Sequence, residues 1–379
     1  MDTQLLVVGA GPYGLSTAAL ALEHDIDTVV LGRPMDFWKT NMPAGMFLRS
    51  GLDWHLDAAG IHTLAAYLEE RAIAAGDVDP IPIGVFLDYA EWFRKAKRIK
   101  VREELTVDLD KRDGRFTATL ENGEQIVTDA VVCAPGIRHY TTAPDWASDV
   151  PPGRAAHTCD LVRFDEMAGQ RILIVGGRQS AYEWAALVRE HGAARIDIVH
   201  RHDVPRFEQV SWRFVDEHVQ RTLSVPGYWR NLARSQQEEI TQRFWEVGRL
   251  TLEHWLTPRL DWEGIHRWPN VEVVRCGAAA SGEDVAVALS NSEQLNVDRV
   301  IFASGYRADL SRVPYLATVL DRIEIRDGFP TLDESFGSTL KGLYITGFSA
   351  TRDFGPFFGF VKGSPASATL IVGDLLSRN

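Results

Sequence analysis

Cysteine is scarce in this 379-residue chain. Only Cys133, Cys159 and Cys276 are present, and none lies in a C-x-x-C pair. A disulfide framework and a dithiol redox centre are therefore not indicated, and the pattern suits a reducing compartment. Basic charge is also short. Forty Lys and Arg against 52 Asp and Glu give a net charge of −12, which argues against a nucleic-acid partner but leaves room for a local basic pocket. No uncharged run is long enough to span a membrane. The apolar N-terminus lacks a basic leader and is broken by Gly9 and Gly11, unlike a secretory signal. Neither a G-x-S-x-G elbow nor a zinc-like spacing of histidines occurs, so no metal is expected. A soluble, cytoplasmic protein with no membrane partner is the expectation. The composition is globular, with 45% hydrophobic and 24% charged residues, and the length exceeds one ordinary core, so two domains are expected.

Residues 5–14 read LLVVGAGPYG. A buried strand runs into Gly9, Gly11, Pro12, Tyr13 and Gly14, then a helix (LSTAALALEHD) and a second strand (DTVVLG). This is the context a G-x-G-x-x-G dinucleotide fingerprint requires. Gly9 permits the tight turn, Gly11 lets the backbone approach a pyrophosphate, and Gly14 lets helix and strand pack closely. The helix N-terminus offers its N–H groups to the anion. The acidic residue that normally ends the second strand is absent. Gly32 stands there, and Arg33 beside it is a candidate for the diphosphate or the adenine face.

Helices are expected over 61–75 and 85–98, and a β-meander over 99–132 with turns at Asp113-Gly114 and Asn122-Gly123. A second βαβ unit begins at Arg171 (RILIVGG, SAYEWAALVREHG, RIDIVHR). Residues 205–268 read as mostly helical and hold six of the eleven tryptophans. The strand VEVVRC, a hairpin, RVIFASGY, and a final strand, Gly/Phe-rich loop and helix complete the chain. The expected fold is α/β: two Rossmann-like dinucleotide-binding domains, one inserted into the other, with the small β-meander and the helical Trp-rich insert. Residues 1–145 and 301–379 form the first domain. Residues 146–300 form the second, with its insert at 205–268.

The order VVGAGPYG, VVCAPG, GGRQSA, IFASGY, LYITGF resembles that of two-dinucleotide flavoproteins. It is similar in particular to the class B flavin-dependent monooxygenases, which include flavin-containing monooxygenases and lysine/ornithine N-hydroxylases. The resemblance covers nearly the whole chain. It implies FAD on the first fingerprint and NADPH on the second, with Ala134, Gly136, Gly305, Tyr306 and Gly347 in the turns around them. It places Trp38, Met46 and Arg49 near the flavin. The family's F-x-G-x-x-x-H-x-x-x-W/Y motif is half present: Gly153 and His157 match, but Pro151 and Leu161 replace the aromatics. His157 then reads either as a linker orienting the two domains or as a cofactor contact. The N-hydroxylases' substrate loop has no match, and the chain is shorter than theirs, leaving no room for their extra substrate domain. The implied activity is FAD-dependent, NADPH-using oxygenation of a small organic molecule by O2, through a flavin C4a-(hydro)peroxide. N- or S-oxygenation or hydroxylation is favoured. A flavin-dependent NAD(P)H reductase or oxidase, and a non-catalytic FAD-binding regulator, are the alternatives. Proteins of this kind are often dimers, so a homodimer is one expectation.

The second fingerprint departs from the pattern at Arg178, which stands where the second glycine belongs. Arginine there either offers a fork of donors to a phosphate or blocks the nucleotide. Gly176, Gly177, Gln179 and Ser180 complete the turn, and Ala181 is small enough for helix–strand packing. No carboxylate ends the following strand. His200 and Arg201 stand there instead, as suits the 2′-phosphate of NADP.

Overall fold

The computed structural model describes residues 1–248, 250–279 and 284–378. Among these, two sheets organise the chain. The first has seven strands. Its parallel part runs Val101–Arg102, Thr28–Leu31, Asp2–Val8 and Gln125–Cys133, with Leu343–Ile345 beside the last of these. Strands Arg115–Leu120 and Thr106–Arg112 extend the first half of Gln125–Cys133 in antiparallel order. They are the expected meander, fused to the sheet rather than separate from it. The helices over the expected ranges are Leu64–Glu70 and Ile83–Ala96.

Register, more than topology, positions the site. Leu31, Val8, Cys133 and Ile345 stand in one row across the sheet. The next residues, Gly32, Gly9, Ala134 and Thr346, therefore share one rim at the carboxyl ends of the strands. That rim is where ligands bind in open α/β sheets. The first fingerprint helix, Pro12–Glu23, starts from it with proline in its first turn, where the missing N–H is harmless.

The second sheet is fully parallel, in the order Ile265–Pro269, Arg195–His200, Arg171–Val175, Arg299–Phe302, Ala155–His157. Its row of Val199, Val175, Phe302 and His157 ends on Gly176, Ala303 and Thr158. Strand Arg299–Phe302 belongs to this sheet, so the expected division at residue 300 falls inside a strand. Ile265–Pro269, expected in the helical insert, is an edge strand; a terminal proline is tolerated there because its nitrogen has no neighbour to serve. The expected strand VEVVRC is Val273–Ala278, paired antiparallel with Val285–Leu289, and the hairpin after it is Val285–Leu289 with Gln294–Val297; residues 280–283 lie outside the described residues.

The insert contributes helices Phe214–Ser224, Tyr228–Asn231 and Arg234–Gly248. In sequence it lies within the second unit. In space its buried Trp212, Val215, Trp229 and Phe244 join the apolar core of the first. Trp212 meets Trp54 at 6.1 Å and Phe360 at 5.8 Å between ring centroids, in the tilted geometries that aromatic quadrupoles favour. The insert therefore straddles both units above their strand ends. No helix among the described residues is long and apolar enough to cross a membrane.

Candidate active site

One cavity of about 2190 Å³ opens over both rims, roughly twice the largest ordinary small-molecule pocket of ~1,000 Å³. Gly9, Gly11, Pro12, Tyr13, Arg33, Trp38, Met46, Arg49, Ala134, Gly136 and Gly347 line it from the first unit. Gly176, Gly177, Arg178, Gln179, Ser180, His200, Arg201, Gly305 and Tyr306 line it from the second. The residues singled out in the sequence as cofactor contacts are thus brought together, except Gly14, which packs behind the wall.

The two turns are built alike. Gly9 has φ +112°, and a Cβ on it would lie 2.3 Å from the Ala134 carbonyl oxygen. Gly176 has φ +140°, and its Cβ would lie 2.5 Å from the Ala303 carbonyl oxygen. Each glycine is needed both for its backbone and for the strand end pressed against it. Gly11 has nothing within 4 Å of where a Cβ would be. That open space, below the exposed N–H groups of a helix start, is a cradle for a diphosphate. At the cavity wall the buried Thr346 hydroxyl has no partner among the described residues. Cradle and hydroxyl both fit a bound dinucleotide.

Tyr13 closes this half. Its hydroxyl donates to the carbonyls of Phe358 and, at 2.7 Å, Phe360, tying the first turn to the Phe-rich C-terminal segment. Trp38 packs on Phe86 at 4.8 Å and presents its remaining face to the cavity. Arg49 lines the cavity as expected, with its guanidinium already engaged. It is turned to the insert: Nε to Glu253 at 3.0 Å, Nη2 to the Thr251 carbonyl at 3.0 Å, and Nη1 to the Gly248 carbonyl. Burial lowers its pKa, against the opposing pull of Glu253. The arginine clamps the insert onto the first unit.

In the second turn, Arg178 has φ −111° and ψ −175°, close to the −83° and −170° of Gly11. Any residue adopts that extended backbone, so arginine is accommodated without strain. Its Cζ lies 3.8 Å from the centroid of the Trp245 ring. Ala181 is fully buried at the third-glycine position. Ser180 is exposed at the cavity, and the helix Gln179–Glu190 starts without a side-chain cap. Gln179 is turned inward, its Oε1 accepting the Glu253 N–H at 3.2 Å.

His200 departs from the sequence expectation. A Cβ on Gly177 would meet its ring at 2.4 Å, so the imidazole fills the space this glycine leaves. Both ring nitrogens are engaged, Nδ1 with the His202 carbonyl at 2.8 Å and Nε2 with the Tyr182 hydroxyl at 3.1 Å. Burial, the largest influence, lowers its pKa and keeps it neutral near pH 7. His200 is thus a packing wedge, which leaves exposed Arg201 as the cation at this strand end. His157 does not line the cavity. Its Nε2 lies 3.1 Å from the Gly305 carbonyl and its ring 5.1 Å from Tyr306, a linker's contacts.

One lining residue was not singled out. Glu183, on the helix Gln179–Glu190, is 2% exposed, and its Oε1 accepts the Phe47 N–H at 2.9 Å. Burial drives its pKa up to about 7, opposed by the Phe47 N–H and by Arg259, Gln179 and Arg49. The signal was in the sequence: an acidic residue between Tyr182 and Trp184 on the helix's apolar stretch.

Two sheets whose parallel strands carry matching glycine turns onto one cavity define a protein built for two dinucleotides. The chain belongs to the pyridine nucleotide-disulphide oxidoreductase family, whose model matches residues 3–227. It is 30% identical over 240 residues to the FAD-dependent urate hydroxylase of Xanthomonas campestris pv. campestris, covering 59% of this chain and 49% of that protein; it thus spans about half of that relative's length. It is 26% identical to the probable indole-3-pyruvate monooxygenase YUCCA8 of Arabidopsis thaliana, over 91% of this chain and 84% of that one. A ferredoxin–NADP reductase of Salinispora tropica is 24% identical over 91% and 85%. In fold, the chain matches an ornithine N-hydroxylase of Kutzneria sp. 744 with TM-score 0.80 at 16% identity over 100% of both chains. The extra substrate domain expected to set the N-hydroxylases apart therefore does not limit the match. A bacillithiol disulfide reductase of Staphylococcus aureus shares the fold with TM-score 0.71 at 17% identity, over 100% of this chain and 99% of that one. The architecture therefore serves more than one chemistry, and the site must decide between them.

Proposed function

We propose that this oxidoreductase is a FAD-dependent monooxygenase that uses NADPH and O2 to place one oxygen atom on a small organic substrate. The balance is substrate, O2, NADPH and a proton giving oxygenated substrate, NADP⁺ and water. FAD, when bound, supplies hydride acceptance and oxygen activation. The Gly9–Gly14 turn, with Ala134, Gly136, Tyr13 and Gly347, holds FAD. The Gly176–Ser180 turn with Arg201 holds NADPH.

The observation that carries this reading is the single cavity shared by both cradles, one stretch of whose wall is aromatic. Trp54, Trp212, Trp229 and Phe360 line that stretch. Such a wall excludes water from the reacting centre, as oxygen transfer requires. Disulfide exchange has no such support. All three cysteines are buried, and burial raises their thiols to about 12, 11 and 12 for Cys133, Cys159 and Cys276, far from a reactive thiolate. The activities named for the urate and indole-3-pyruvate relatives agree with the oxygenase reading.

The ferredoxin–NADP reductase relative brings forward the reductase alternative, and one experiment separates the two. The purified yellow protein is reduced by NADPH without oxygen, then mixed with O2 in a stopped-flow instrument with NADP⁺ present. The monooxygenase passes through a transient species spectrally distinct from both reduced and oxidised flavin. Direct one-step return to oxidised flavin, with one H2O2 per NADPH at every NADP⁺ concentration, rejects the proposal. Failure of NADPH to bleach the flavin rejects both enzymes in favour of a regulator.

A further inference from the structure

We propose that Trp245, on the insert helix Arg234–Gly248, is a positioning residue of the second nucleotide site. It holds the Arg178 guanidinium by face stacking, so that the guanidinium's edge meets the nucleotide's diphosphate. The inference rests on the reading of this site as an NADP(H) site and goes beyond it, because it assigns part of that site to the insert.

Three observations converge. Arg178 occupies the fingerprint position whose counterpart in the first turn, Gly11, faces open space, with nearly the same backbone angles. Its side chain therefore starts from the place where a diphosphate would lie. Second, Arg178 Cζ stands 3.8 Å from the Trp245 ring centroid, contact distance for a flat stack. Third, Trp245 is 36% exposed and lines the same cavity, so the pair stands at the ligand surface rather than in the core.

The two partners of a guanidinium do not compete. An aromatic ring engages its face, whereas a phosphate engages the fork of N–H groups in its plane. A stacked arginine is therefore pre-oriented for bidentate pairing. Several rotatable bonds are fixed before the ligand arrives, and that ordering is removed from the cost of binding. The arginine replaces what the lost glycine supplied. Where Gly11 allows backbone approach, Arg178 reaches out, and Trp245 makes that reach rigid. The diphosphate is common to NADP and NAD, so the device raises affinity for both, whereas discrimination between them falls to Arg201.

Isothermal titration of the purified protein with NADP⁺ and with NAD⁺ tests this. Trp245→Ala raises both dissociation constants by about tenfold, the scale of a partly desolvated cation–π contact, and Trp245→Phe restores most of the affinity. Arg178→Ala weakens both at least as much, and adding Trp245→Ala to it costs nothing further. Arg201→Ala weakens NADP⁺ alone. Unchanged affinity in Trp245→Ala overturns the proposal. So does a tenfold loss that persists in the Arg178→Ala background, which would mark Trp245 as merely structural. An effect of Trp245→Ala confined to NADP⁺ overturns the diphosphate assignment. Wild-type protein that binds neither nucleotide defeats the site's reading itself, which separates that failure from the others.

Discussion

Replacing Glu183 by glutamine isolates a buried charge whose energetic sign can be worked out. In the folded chain the carboxyl is held near pKa 7, chiefly by burial, against an ordinary value of 4.5. Below pH 4.5 it is protonated in both states. Between 4.5 and 7 the folded form keeps a proton that the unfolded chain has released. The stability associated with this group is therefore full below about pH 4.5 and is lost as pH rises through 7. At 1.36 kcal/mol per pKa unit the loss amounts to about 3 kcal/mol above pH 8. Glutamine keeps an oxygen to accept the Phe47 N–H and carries no charge to desolvate. The unfolding entropy of a chain this size converts the difference into about 4 °C. Thermal melts of wild type and Glu183→Gln from pH 4.5 to 8.5 should coincide at the acidic end and diverge toward the basic end, with the variant the more stable. A difference that stays constant across the range, or that favours wild type as pH rises, would refute the reasoning, because Glu183 would then ionise at or below the ordinary carboxyl range.

Arg49→Ala should destabilise the chain by about 3–5 kcal/mol in urea unfolding, since it leaves the buried Glu253 carboxylate without its partner. Arg49→Lys should recover only part of this, because a point charge cannot serve Glu253, Gly248 and Thr251 together. Gly177→Ala places a methyl against the His200 ring and should weaken NADP⁺ binding in titrations while FAD content is retained. A second change, His200→Ala, should restore binding by opening the space.

Local patterns legible in the sequence were those dictated by short-range chemistry. Strand Leu5–Val8 followed by Gly9, Gly11 and Gly14 reads as a nucleotide turn because the glycines are needed by contacts within a few residues and one neighbouring strand. The second unit was legible for the same reason, even with Arg178 in it. What was not legible depends on distant partners. Arg49 was placed beside the flavin by resemblance, and His200 was read from residue type as a phosphate partner. Their nitrogens are instead taken by Glu253, Gly248 and Thr251, and by Tyr182 and His202. The insert's tryptophans were visible, but nothing in their spacing says that Trp212 packs on Trp54 across the unit boundary. Ile265–Pro269 shows the same limit, since pairing with Arg195–His200 overrides a weak local preference.

The paired glycine turns also dictate an order of assembly. The contacts of the second turn, Gly176 with Ala303, Gly177 with His200 and Arg178 with Trp245, all fall within residues 176–303. The first needs Gly9 against Ala134, then Gly347, and then Tyr13 anchored to Phe358 and Phe360. As the chain leaves the ribosome, the second cradle can close while the first still waits for the segment from Gly347 to Phe360. Completion of the first cradle thereby requires a chain extended through Phe360, and a product cut before Gly347 lacks the segment that Tyr13 anchors.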